Sequence, residues 1–139
     1  LRELEPDGAE RYMQVVQTLA DRGFAPGIVA TSPYVRCRQT ADIIAEYTPQ
    51  QPEVIELDAL TPGSDFDALL DWSADCGDDS ICWVGHAPDV GMLTAALIGD
   101  SDANIRFAKG GIAAIRFYDG FDAGAGELYW HATAKTLGL

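Results

Sequence analysis

The chain has 139 residues, 47% of them hydrophobic and 22% charged, enough for one domain with its own core and too well mixed for extended disorder. Twenty-two acidic residues face nine basic ones, a formal charge of −13, so the averaged field repels nucleic acid and anionic membrane surfaces, and neither is an expected partner. No run nears the roughly 20 apolar residues of a membrane span, and Cys37, Cys76 and Cys82 show neither a disulfide framework nor zinc-ligand spacing. A reducing, cytoplasmic setting is expected, with no metal and no cofactor.

Taken in order, "EPDGAERYMQVVQTLADRG" predicts a helix with Asp7 as N-cap and Glu10 completing a capping box. Ala9, Tyr12, Met13, Val16, Leu19 and Ala20 fall at helical spacing, and Gly23 closes the segment. "PGIVATS" (26–32) is short, apolar and β-branched, the pattern of a buried strand. "SPYVRCRQTADIIAEYTP" then predicts a helix with Ser32 as N-cap and Pro33 at its first position, Cys37, Thr40, Ala41, Ile44 and Tyr47 forming its stripe.

Residues 53–57 ("EVIEL") predict a strand, "GSDFDALLDWSAD" a third helix capped by Ser64, and "SICWVGH" (80–86) another buried strand. "PDVGMLTAALIG" is nearly all apolar and reads as an interior helix. "GGIAAIRFYDG" and "GELYWHAT" flank a Gly- and Asp-rich turn, as an antiparallel hairpin does. The fold class that follows is α/β: a three-layer α/β/α sandwich with a mostly parallel sheet and antiparallel strands near the C-terminus, residues 1–139 forming a single domain.

Ligands of such sheets bind where parallel strands end and the next helices begin. Two junctions carry chemistry there. In "ATSPYVRCRQT", Arg36 and Arg38 occupy the opening turns of a helix, where the dipole disfavours cations. Either both side chains reach solvent and pair with the abundant carboxylates, or an anion sits between the helix N-terminus and a guanidinium. In "CWVGHAPDVGML", His86 leaves a buried strand while Pro88 and Asp89 open the next helix. His86 is either a satisfied core or cap histidine or a site residue.

Together, a fixed cation, backbone donors and one titratable imidazole would suit a phosphoryl group. No Walker loop, G-x-G-x-x-G, G-x-S-x-G or H-E-x-x-H occurs. His131, in "YWHAT", reads as an edge or surface residue.

The order and separation of "SPYVRCRQTA" and "VGHAP" resemble the S-P-x-x-R-x-x-Q-T-A and V-G-H-x-P segments of the histidine phosphatase superfamily, the phosphoglycerate-mutase-like fold, and within it the short SixA-type phosphohistidine phosphatases. The resemblance covers the whole chain and implies a phosphatase acting on a phosphorylated protein, or on a small phosphorylated substrate. By it Arg36 is the phosphate-clamping arginine, His86 the second histidine that bonds the transferring group, and Ala87 part of the phosphate-binding loop.

Two features depart from the family pattern. The Arg-His-Gly triplet that carries the family's nucleophile is absent, so the first strand and its loop are expected upstream of Leu1. Pro62 stands where a proton-donating glutamate often falls, with Glu56 and Asp58 nearby. Three readings stay open: a phosphohistidine phosphatase working through a phosphoenzyme, a non-catalytic phosphoprotein-binding module on the same fold, and a phosphatase of small metabolites.

Overall fold

Pro6 decides where the first helix starts. Its ring fixes φ and it has no N–H to leave unpaired, so it takes the first helical position. In the computed structural model, which describes residues 3–139, α1 accordingly spans Pro6–Asp21 with Glu5 as N-cap, and no side chain caps it. The predicted capping box of Asp7 and Glu10 does not form; Asp7 instead lies inside the first turn, where a carboxylate still complements the helix dipole. Tyr12, Val15, Val16 and Leu19 form the buried stripe, and Gly23, at a φ of +104°, ends the helix as predicted.

The remaining elements are β1 (Ile28–Thr31), α2 (Val35–Tyr47), β2 (Glu53–Glu56), a one-turn 3-10 helix (Asp58–Leu60), α3 (Phe66–Asp75), β3 (Ile81–Val84), α4 (Asp89–Leu97), β4 (Ile112–Arg116) and β5 (Glu127–Ala132). β1 lies between β2 and β3, parallel to both, with Ile28 opposite Glu53 on one side and Ile81 on the other. A central parallel strand is covered on both faces, which explains the unbroken apolar run and the complete burial of Val29 and Ala30.

Alternation along β1 assigns the two layers. Val29 joins a cluster with Tyr12, Val16, Cys37, Ala41 and Ile44, beneath α1 and α2. Ala30 joins Leu60, Leu69 and Leu93, beneath the 3-10 turn, α3 and α4. The result is the predicted α/β/α sandwich.

β4 and β5 pair antiparallel as predicted, with a register shift between Ala114 and Ile115. They form a two-stranded sheet of their own, hydrogen-bonded to none of the parallel strands. Ile112 and Ala132 nonetheless enter the same apolar cluster as α1 and Val84 of β3, so one core spans both sheets. The hairpin connection is tied to α4, Gly124 N–H and Gly126 N–H donating to the Ala96 and Leu97 carbonyls at 3.0 and 2.9 Å.

Two further caps differ from the sequence rules. Ser32 is not the cap of α2: that helix begins two residues later, with Tyr34 in the cap position, because Ser32 remains in the sheet layer, its N–H donating to Val84 O at 3.0 Å. Asp65, not Ser64, caps α3, its carboxylate accepting from Ala68 N–H at 3.1 Å. Ser64 sits at a φ of +32° and donates its hydroxyl to Asp89 instead.

Candidate active site at the ends of β1 and β3

Because β1 and β3 are parallel neighbours, the chain leaves both at the same edge of the sheet. Residues 32–34 and 85–88 therefore lie side by side, although Ser32 and His86 are 54 positions apart in the sequence. The two junctions singled out by the sequence meet here.

His86 is held by the β1–α2 junction. Its Nε2 lies 2.9 Å from the Oγ of Ser32, a residue with no exposed surface. Ser32 Oγ also accepts from Tyr34 N–H at 3.3 Å, and the Tyr34 ring meets the imidazole edge-on, centroids 5.0 Å apart. Cys37, on the first turn of α2, donates its thiol hydrogen to Gly85 O at 3.5 Å, and its Sγ lies 3.6 and 3.8 Å from the two ring nitrogens. Burial pushes the Cys37 thiol pKa up, against smaller opposing effects of Ser32 and the Arg36 charge. It is a neutral packing and bonding group, not a nucleophile.

The structure separates the two arginines. Arg38 is spoken for: its guanidinium pairs with Asp42 at 3.1 Å and Glu56 at 3.3 Å on an open surface. Arg36 precedes Cys37 on the first turn of α2, and its Nε is buried with no hydrogen-bond partner. A buried N–H without an acceptor is costly, although the Arg36 residue as a whole is only half-buried. Ala87 is exposed, between His86 and Pro88, the N-cap of α4.

Asp89, in the first turn of α4, accepts from Gly63 N–H at 2.8 Å and Ser64 Oγ at 3.2 Å. This draws the segment holding Pro62 toward the exit of β3. Glu56 is engaged by Arg38, and Asp58 lies exposed in the 3-10 turn. Neither stands out as a proton donor.

His131 does lie on a strand with a free edge, yet its ring is half-buried, 4.8 Å from that of Phe107, and its Nε2 has no partner. Hollows of about 240 and 380 Å³ lie elsewhere, one where β4 meets Asp79 and one at the C-terminal ends of α1 and α2. Ser32 and Cys37 were read from sequence as a cap and a stripe residue, and only the pairing of β1 with β3 reveals their contact with His86.

A profile of the histidine phosphatase superfamily (branch 1) matches residues 2–61, a stretch holding Arg36 but ending before His86. An uncharacterized protein of Picosynechococcus sp. is 33% identical over 121 residues, which make up 83% of this chain and 72% of that protein. The chain belongs to the histidine phosphatase superfamily, which places it among the phosphatase-class hydrolases. Its fold is that of SixA: the protein histidine phosphatase SixA complexed with tungstate superposes with a TM-score of 0.85 at 22% identity, over 99% of this chain and 87% of that one. A protein from Agrobacterium tumefaciens assigned as a SixA phosphohistidine phosphatase gives 0.75 at 21% identity, over 95% and 83% of the two chains. Phosphoglycerate mutase from Plasmodium falciparum shares the fold more distantly, with a TM-score of 0.52 at 18% identity over 70% of this chain and 65% of that one.

Proposed function

We propose that the protein hydrolyses phosphohistidine on another protein, without a metal, through a phosphohistidine intermediate of its own. The observation that carries this reading is the buried, unpartnered Arg36 Nε on the junction that also cages His86. Arg36 neutralises the phosphoryl oxygens, and His86 and the backbone at Ala87 donate hydrogen bonds to them. The nucleophile is a histidine of an Arg-His-Gly segment, and no such triplet occurs in the 139 residues.

The split sheet supports a seat for that segment. β3 and β4 each end their sheet, a hollow opens where β4 meets Asp79 just before β3, and a single apolar cluster bridges the two. We propose that a strand carrying such a triplet would sit between β3 and β4. Its histidine attacks phosphorus as the substrate imidazole leaves; water then attacks the phosphoenzyme, freeing phosphate and restoring the histidine. An imidazole leaving group needs less protonation than an alkoxide, which accords with Pro62 and a salt-bridged Glu56 where an acid would be sought. Three free cysteines accord with a reducing cytoplasm.

The absence of the triplet from these residues favours one second reading, a module that binds phosphoproteins without turning them over. Incubating the protein, in a form carrying the proposed segment, with a phosphohistidine protein, a phosphoserine peptide and a sugar phosphate separates the readings. Loss of phosphohistidine with an acid-labile phosphoenzyme is expected. Preferential turnover of the sugar phosphate would assign a metabolite phosphatase, and binding without turnover the module.

A further inference from the structure

We infer that Ser32 is a positioning residue that fixes His86 in its less common neutral tautomer, with the proton on Nδ1. The functional consequence rests on the reading of His86 as a phosphoryl-binding donor; the tautomer itself does not.

A serine hydroxyl has one proton to give and two lone pairs to offer. Ser32 is fully buried, so each capacity needs a partner inside the protein. One lone pair is taken by Tyr34 N–H at 3.3 Å. For the proton, His86 Nε2 at 2.9 Å is an acceptor of good geometry. The competing acceptor within reach is the sulfur of Cys37, and thioether and thiol sulfurs accept weakly. Ser32 therefore donates to Nε2, and a nitrogen that accepts a hydrogen bond carries no proton. The ring proton of neutral His86 is left on Nδ1.

Cys37 does not compete for the opposite arrangement. Its own hydrogen goes to Gly85 O, and its sulfur stands 3.8 Å from Nδ1, too far to satisfy that N–H well. Nδ1–H, held at most weakly by the Cys37 sulfur, is thus the donor the ring would offer a phosphoryl oxygen while Ser32 holds the other side. A hydrogen bond on one imidazole nitrogen setting the chemistry of the other is a general device of histidine sites. Here the setting group arrives with the S-P dipeptide that opens the β1–α2 junction.

The chain has two histidines, His86 and His131, so its imidazole nitrogens are readily resolved by long-range ¹H–¹⁵N correlation on uniformly labelled protein at mildly alkaline pH, with His131→Gln supplying the assignment. No substrate is needed, so the outcome is independent of whether phosphohistidine is turned over. The expected spectrum of the unaltered chain shows His86 protonated on Nδ1. Ser32→Ala should return it mainly to the Nε2–H form, with backbone amide shifts otherwise retained, and Ser32→Thr, which keeps the hydroxyl, should preserve the Nδ1–H pattern. An Nε2–H pattern in the unaltered chain, or an Nδ1–H pattern surviving Ser32→Ala, overturns the proposal.

Discussion

Arg36 and Arg38 are two residues apart and chemically identical, yet their surroundings predict opposite responses. Arg38 sits in exposed pairs with Asp42 and Glu56, the kind that contributes from nothing to about 1 kcal/mol. Its replacement by alanine should leave turnover within about twofold and stability within that margin. Arg36→Ala should cost about 3 kcal/mol of transition-state stabilisation, on the order of a hundredfold in kcat/KM, the scale of one preorganised oxyanion donor. Steady-state kinetics of the two variants on a phosphohistidine substrate would decide it, and equal effects would remove Arg36 from its special place. At this scale the sequence exposed the residues whose position is unusual for their type, a cation at a helix start and a histidine at a strand exit. It concealed Ser32 and Cys37, because a serine before proline and a cysteine on an apolar stripe already have sufficient local explanations. Their second role comes from a neighbour 54 and 49 positions away.

Elements were legible from periodicity, their boundaries less so. Each predicted helix and strand is present, while the strands are trimmed, the 26–32 run to Ile28–Thr31 and the 80–86 run to Ile81–Val84. Strand ends are set by which neighbour is long enough to pair, information that no single segment holds. The misplaced caps have a similar origin. Proline preempted Asp7 at α1, the sheet retained Ser32 before α2, and Asp89 drew Ser64 away from α3. The last case is testable by equilibrium urea unfolding. Asp65→Ala should lower stability by about 1 kcal/mol through loss of the cap. Ser64→Ala should cost less, since Asp89 keeps its bond from Gly63 N–H.

Across the whole molecule, burial couples stability to alkaline pH. Cys82, packed against the main cluster, has its thiol pKa pushed up to about 12 from an ordinary value of 9.0, and burial drives the Tyr12 phenol upward as well. Both groups are neutral when protonated, so their contribution is complete below the ordinary thiol and phenol values. It declines as pH rises from about 9 toward the folded-state values, by up to about 1.4 kcal/mol per unit for a single group. The urea midpoint should therefore fall steadily above pH 9, and Cys82→Val should make that fall shallower; an unchanged slope would exonerate Cys82. The layered architecture was readable from alternation of elements, but the separation of β4–β5 from the parallel sheet was not. Hydrogen bonding between distant strands leaves no mark on either one's sequence pattern.

β1 is clasped on both flanks up to its last residue and beyond: Thr31 O receives Leu57 N–H at 2.8 Å, and Ser32 N–H reaches Val84 O at 3.0 Å. Its amides should be among the slowest in the molecule to exchange with deuterated solvent, because releasing them requires both adjacent ladders to open together. Slow exchange there would mark β1 as the most persistent part of the support under the imidazole, while Asp89, bonded to Gly63 and Ser64, ties the start of α4 to the 61–64 loop.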